Sequence, residues 1–273
     1  MNGGNVMPKR VLITGCSSGI GKSLAAELAR RGHEVVATAR DVTSLADLNV
    51  AQRLALDVTN RESVENAARA AGDVDVLVNN AGVTIWSSVE SAQEQDVQRI
   101  FDTNVFGMLR AVRAFLPRMR ARRRGEIFQI SSAVAKRSTA LLGHYAATKA
   151  AFDAYSEALR LEVAPFGIKV CIVALGAVES SFGLNRKEII APEYRELAER
   201  VKVRLGKARK APSSAQSVAV RISDVIEQGN PPLRLDGTGD AFALIAQRLA
   251  LSDEQWEKQT LSEIWTPEAF KQN

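Results

Sequence analysis

Tyr145 and Lys149 stand four positions apart, and Ser132 lies thirteen positions before the tyrosine. Four positions is one helical turn, so a helix opening at Tyr145 puts both side chains on one face. A phenol is a poor proton donor or acceptor near neutral pH, because its ordinary pKa is about 10. A fixed ammonium close by favours the phenolate and lowers that value. Tyr145 then becomes a usable general acid or base. The Ser132 hydroxyl can donate a hydrogen bond to a carbonyl oxygen on which charge develops. An ordinary amphipathic helix also carries Tyr-x-x-x-Lys, so the chemistry depends on the elements that position these residues.

Those elements begin with a short β-branched run, Arg10 to Thr14, which stops at Gly15 and predicts a buried strand. The turn GCSSGIG follows, then a helical stretch with Leu24 and Leu28 in phase that ends at Gly32, then a second strand, Glu34 to Ala39. Strand, glycine-rich turn, helix and strand are the context of a dinucleotide fingerprint. Gly15, Gly19 and Gly21, with Ser17, Ser18 and Ile20 in the same turn, let the backbone approach a pyrophosphate that the helix N-terminus stabilises. A carboxylate ending the second strand would bind a ribose 2′-hydroxyl. Here Ala39 is followed by Arg40, a pair that favours a 2′-phosphate and hence NADP(H).

Further along, Leu54 to Asp57 ends a third strand, with Asp57 placed to meet the adenine amine and Val58 beside it. Asn60 caps a helix to Ala71. Val74 to Val78 is a fourth strand running into NNAG, which sets Asn80, Ala81 and Gly82 at the crevice where such sheets bind ligands. Glu94 to Arg124 reads as one long helix, with a kink or break expected at Pro117. Asn104 and Gly107 are poor helix formers, so something other than propensity keeps them there. The closing cluster RMRARRR suits a helix C-terminus and a solvated face. Glu126 to Ser131 is a fifth strand, residues 132–144 a loop, Tyr145 to Val163 a periodic helix and Ile168 to Leu175 a sixth strand. Residues 179–212 loosen and turn basic, as a substrate lid would. Ser213 to Glu227 is helical, Leu233 to Leu235 a short last strand, and Asp240 to Leu251 helical within a C-terminal extension, 236–273, that holds Trp256, Trp265 and Phe270. The expectation is one domain over 1–273: α/β, a doubly wound, Rossmann-like parallel sheet of about seven strands with helices on both faces. Residues 1–6 read as a loose leader, and Met7 as an alternative start.

Composition narrows the classes. The net charge is only +5, too small to argue for nucleic acid. Cys16 and Cys171 are far apart and outside any CxxC pair, so neither disulfide nor metal site is indicated, and a reduced cytoplasmic setting fits. No apolar run approaches the ~18 residues of a membrane span.

Taken together, these residues resemble the short-chain dehydrogenase/reductase family over nearly the whole chain. TGCSSGIG (14–21) resembles its TGxxxGxG turn, LDVT (56–59) its adenine-side Asp-Val, NNAG (79–82) its motif after strand four, and YAATK (145–149) its YxxxK. Asn104 falls where the family has a helix asparagine, and the spacing to Tyr145 selects Ser132 over Ser131. The resemblance implies hydride transfer between a nicotinamide and a carbonyl or secondary alcohol. Tyr145 would protonate the developing alkoxide and Ser132 would hydrogen-bond it. Lys149 would hold the nicotinamide ribose and lower the tyrosine pKa, and Asn104 would position Lys149 and a relaying water. Gly176, Val178 and Ser180 would form the nicotinamide wall, although Leu175 replaces the usual proline and Ser180 the usual threonine. Ala135 stands where glycine is common, which narrows the pocket.

For the substrate, Val83, Thr84, Ile85, Trp86, Val134, Leu141, Leu142 and Phe182 are candidate wall residues, and His144 is read as a loop residue. The stretch 230–245 resembles bacterial relatives of retinol and 17β-hydroxysteroid dehydrogenases, which implies a hydrophobic carbonyl or alcohol. The basic run RVKVRLGKARK (200–210) offers an alternative, a carrier-bound or anionic keto substrate. A non-catalytic NADP-sensing regulator and an epimerase or dehydratase are the other readings. The family pairs the helices placed at 94–124 and 145–164, so a homodimer or homotetramer is expected. The interval AVAKRSTALLGH (133–144), with its lysine and arginine, is where the substrate preference should lie.

Overall fold

A computed structural model describes residues 7–179, 182, 187–208 and 212–265. In chain order it runs β1 (Arg10–Ile13), α1 (Gly19–Arg30), β2 (Glu34–Ala39), β3 (Gln52–Ala55), α2 (Arg61–Ala71), β4 (Val76–Asn79), β5 (Ile85–Ser87) and α3 (Glu94–Phe101). After a π turn at Asp102–Phe106 come α4 (Gly107–Ala121), β6 (Gly125–Ile130), α5 (Gly143–Val163), β7 (Ile168–Ala174) and β8 (Val178–Glu179). The chain closes with β9 (Lys187–Ile189), α6 (Arg195–Ala208), β10 (Ser213–Ser214), α7 (Ala215–Gln228), β11 (Arg234–Asp236), α8 (Ala241–Leu249) and α9 (Asp253–Ile264).

Seven strands form one parallel sheet in the order β11-β7-β6-β4-β1-β2-β3. Alternation along each strand sorts the side chains onto two faces. Val11 and Ile13 of β1 pack with Leu24 and Leu28 of α1 and with Val218, Ile222 and Ile226 of α7. Leu12, between them, packs on the opposite face with Met108, Val112 and Phe115 of α4 and Phe152 of α5. Both faces of the sheet are therefore covered, as a parallel sheet requires. The strand order reverses between β1 and β4, and the crevice outside their C-terminal ends is the place where ligands bind in such sheets. Among the described residues no helix is long and apolar enough to cross a membrane.

Four features depart from expectation. The long helix is interrupted at the π turn rather than at Pro117, which lies inside a continuous α4. Helix α5 opens at Gly143, two residues early. The arginine cluster is not simply a solvated face: Arg122 donates to the Val74 carbonyl, Arg123 to the Pro165 carbonyl, and Arg120 lies over the Phe166 ring. Finally, the described residues within 179–212 carry structure. Strand β9 pairs with the unforeseen β5, Lys187 is ion-paired to Asp96 at 2.8 Å, and α6 packs Leu197 and Val201 against Trp86, Leu141 and Ile264 of α9. The tail thereby helps to roof the strand ends. Residues 1–6, Ser180, Arg209, Lys210 and Phe270 lie outside the described residues.

Candidate active site

At one end of the crevice, the β1–α1 turn is shaped for close backbone approach. Gly15 and Gly19 have φ of +76° and +55°, a region that disfavours side chains. A Cβ on Gly21 would lie 2.2 Å from the Gly15 carbonyl oxygen and 2.5 Å from Asn80 Nδ2. Asn80 fastens the two strand ends together: its Nδ2 donates to the carbonyls of Thr14 and Gly15, both at 2.9 Å. The amides of Asn80 and Ala81 donate to Thr14 Oγ1 at 3.0 Å. The first turn of α1 holds no acidic residue, and the Ser18 side chain makes no capping bond. Its amides and dipole thus face the crevice uncompensated, the arrangement that takes up phosphate.

Ser17, Ser18 and Ile20 line the cavity here with Gly15 and Gly19, and so do Arg40, Asp57, Val58, Asn80, Ala81 and Gly82. Ala39 is buried at the end of β2 and Arg40 is exposed. The Arg40 guanidinium has no hydrogen-bond or ion-pair partner among the described residues. One oxygen of Asp57 is occupied by the amide and hydroxyl of Thr59, at 2.9 and 2.8 Å.

At the other end, β6 and α5 bring the three chemistry-bearing residues together. Ser132 follows β6, donates to the Leu175 carbonyl at 3.3 Å and is hydrogen-bonded to Tyr145. Lys149 is buried, and its ammonium donates to the Ile130 carbonyl at 2.7 Å. It lies 5.8 Å from the centroid of the Tyr145 ring and 4.8 Å from that of Phe152. Burial pulls the Lys149 pKa down to about 8, against the upward influence of Asp153. For Tyr145, burial pushes the pKa above its ordinary value, and the Ser132 hydrogen bond only partly offsets that. Lys149, expected to lower it together with the charge of an oxidised nicotinamide, does not lower it by itself. In a low-dielectric interior the desolvation of a phenolate outweighs the Ser132 hydrogen bond.

Asn104 and Gly107 owe their places to packing across the crevice. Asn104 accepts from the Val83 amide at 2.8 Å and donates to the Val83 carbonyl at 2.9 Å and to Thr148 Oγ1 at 3.1 Å. Its side chain is therefore tied to the neighbour of Lys149 rather than to Lys149 itself. A Cβ on Gly107 would press within 2.8 Å of Val58.

Both ends open into one cavity of about 640 Å³. Ser132, Tyr145, Lys149, Gly176 and Val178 line it, together with the expected wall residues Val83, Thr84, Trp86, Val134, Leu142 and Phe182. The Phe182 ring lies 5.9 Å from that of Tyr145. Ile85 and Leu141 do not line it; both are buried in packing. Ala135 and His144 also lie outside its wall.

Sequence reasoning missed several residues. Asp153 accepts a 2.5 Å hydrogen bond from Ser131 and sits behind Lys149. Its position four after Lys149 on the same helix was a usable signal. Arg204 and Leu205 from α6, Leu244 from α8 and Trp256 from α9 also face the cavity, and only the tertiary fold brings them there. Arg137 joins them, although the interval that holds it was singled out.

Comparison with known proteins gives a consistent result. Residues 9–188 match a family model described as short chain dehydrogenase. The chain is 37% identical over 237 residues to a 3-ketodihydrosphingosine reductase of Bacteroides thetaiotaomicron, covering 84% of this chain and 87% of the relative. It is 38% identical over 180 residues to an NADPH-dependent 1-acyldihydroxyacetone phosphate reductase of Schizosaccharomyces pombe, covering 63% of this chain and 60% of the relative. In structure it is similar to a short-chain dehydrogenase from Streptomyces avermitilis, with a TM-score of 0.80 and 35% identity over 97% of this chain and 99% of the other.

Proposed function

The chain belongs to the short-chain dehydrogenase/reductase family, and we propose that it is an NADP(H)-dependent oxidoreductase interconverting a ketone or aldehyde and an alcohol on a hydrophobic small molecule. The observation that carries this reading is the single cavity that joins the glycine turn and Arg40 to the Ser132–Tyr145 pair. The turn fits a pyrophosphate, because Gly15 and Gly19 carry no side chain at positive φ and the first turn of α1 holds no acidic residue. Arg40, unpartnered beside Ala39, fits a 2′-phosphate. The NADPH-dependent relative supports the same choice. Val178 and Gly176 would wall the nicotinamide, and Ser180 follows them in sequence.

When bound, the nicotinamide supplies or accepts the hydride. In reduction, Tyr145 carries at neutral pH the proton that it gives to the carbonyl oxygen as general acid. Ser132 donates a second hydrogen bond to that oxygen. Lys149, with a pKa near 8, can take up and release protons at physiological pH, and Asp153 biases it toward the charged form. Asn104 holds Val83 and Thr148, the two sides of the crevice, in register. Residues 179–212 act as the substrate lid and 236–273 as its support, within a single domain.

NADPH oxidation against a panel of ketones and aldehydes, with NADH run beside it, tests the reading. Tyr145→Phe should lose turnover by at least about a hundredfold and retain NADPH binding. Unchanged turnover in that variant would remove Tyr145 from the mechanism. Binding of NADPH with no turnover by the unmodified protein would favour a cofactor-sensing regulator, and isomerisation without net NADPH consumption an epimerase. A cytoplasmic homodimer or homotetramer completes the proposal. Phe106 on the π turn and Tyr155 and Leu161 on α5 are exposed large apolar residues on the expected pairing helices, and sedimentation velocity reads the assembly.

A further inference from the structure

In the substrate half of the cavity, cations gather around one indole. The guanidinium carbon of Arg137 lies 5.1 Å from the Trp256 ring centroid, and that of Arg248 lies 5.4 Å from it. Burial first, and then repulsion by Arg204 in the same cavity wall, hold the Arg137 pKa below its ordinary value. Two of the three are neutralised. Arg248 is paired with Asp253, and Arg204 with Glu263 at 2.5 Å and with Thr139 at 3.1 Å. Arg137 is not. Among the described residues its side chain makes no hydrogen bond or ion pair, and its Nε is buried without a partner. Glu263 reaches it only through longer-range attraction.

A buried guanidinium Nε without a partner costs the fold, because its water is lost and nothing replaces it. The cation–π contact with Trp256 does not supply the acceptor that the buried Nε lacks. The cavity that holds Arg137 and Tyr145 is also lined by the apolar Val134, Leu142, Leu205 and Trp256, beside Ser138 and Thr139. We propose that Arg137, backed by Arg204, is an anion-binding subsite for the far end of the substrate. The substrate class is then an apolar compound with a reducible carbonyl, or the matching alcohol, at one end and a carboxylate or phosphate monoester at the other. An anion there satisfies the fork with paired, charge-assisted bonds, and a wholly apolar compound leaves it unsatisfied. The proposal rests on the oxidoreductase reading of the cavity and deepens it.

The test uses the full chain with NADPH bound. Oxo-carboxylic acids of graded chain length, each beside its methyl ester and a matched phosphate monoester, are titrated by calorimetry, and NADPH oxidation is followed in parallel. At the length that spans Tyr145 to Arg137, the acid or the phosphate should bind at least about tenfold more tightly than the ester. The stronger of the two names the anion. Arg137→Gln should bring the ratio close to one, and Arg137→Lys should restore part of it. Equal binding of acid and ester at every length, or an unchanged ratio in Arg137→Gln, overturns the subsite. Turnover without anion preference removes the subsite alone. Selective anion binding without turnover of any carbonyl leaves the subsite standing and removes the oxidoreductase reading.

Discussion

Lys149 is where folding and chemistry pull in opposite directions, and replacing it by methionine should stabilise the protein while abolishing turnover. Burial lowers its pKa from 10.5 to about 8, whereas the unfolded chain keeps it near 10.4. Between about pH 8 and 10.5 the unfolded chain still holds a proton that the folded protein has released. The free energy of unfolding therefore rises with pH across that window. Below about pH 8 the cost of burying the ammonium is present in full, and above about 10.5 it is gone. At 1.36 kcal/mol per pH unit the cost is about 3 kcal/mol. Lys149→Met removes it, but also removes the donor to the Ile130 carbonyl, which costs about 1–2 kcal/mol. Asp153 keeps its bond from Ser131 and the attraction of Arg234. The net expectation is a variant more stable than the parent by about 1–2 kcal/mol near neutral pH. The advantage should shrink between about pH 8 and 10.5 and reverse above that. Urea unfolding of both proteins without cofactor, stepped through pH, measures the difference. The upward-shifted Tyr145, Cys16 and Cys171 titrate in both proteins and largely cancel. A difference that stays flat with pH would show that Lys149 titrates alike in folded and unfolded chains. A variant that is less stable throughout would show that the ammonium is a net support of the fold.

Two further substitutions probe the cofactor end. Gly21→Ala sets a Cβ 2.2 Å from a backbone oxygen that cannot swing aside. It should destabilise by about 1–3 kcal/mol and weaken NADPH binding by about tenfold or more; an unchanged melting temperature and affinity would contradict the tight turn. Arg40 is exposed, so Arg40→Ala should leave the melting temperature alone. It should raise the KM for NADPH about tenfold and leave that for NADH unchanged, and an equal effect on both cofactors would remove Arg40 from 2′-phosphate recognition.

Much of the fold is legible in the sequence because it is locally encoded. Alternating Val11, Leu12 and Ile13 specify a strand buried on both faces, and Asn60 caps α2 through its bond from the Ser63 amide. The glycine turn between strand and helix points to a dinucleotide crevice, and Tyr145 and Lys149 stand one helical turn apart. The long helix was misread at its middle. The signal was present in Asn104 and Gly107, but the reason lies across the crevice, where Val83 needs the Asn104 amide and Val58 leaves no room for a side chain at Gly107.

The rest depends on distance in sequence. Strands β5 and β9 pair across about a hundred residues, and nothing in IWS or KEI by itself names the other. Arg137, Arg204 and Trp256 meet only because α6 and α9 fold over the strand ends. The direction of the Tyr145 pKa belongs here too. The sequence by itself determined that Tyr145 and Lys149 share a helix face, since the helical period is short-range geometry, while the choice of Ser132 rested on the resemblance to the family. Only the tertiary structure decided how much water surrounds them. Burial, summed over residues from every part of the chain, raises the pKa of the phenol and lowers that of the ammonium to about 8.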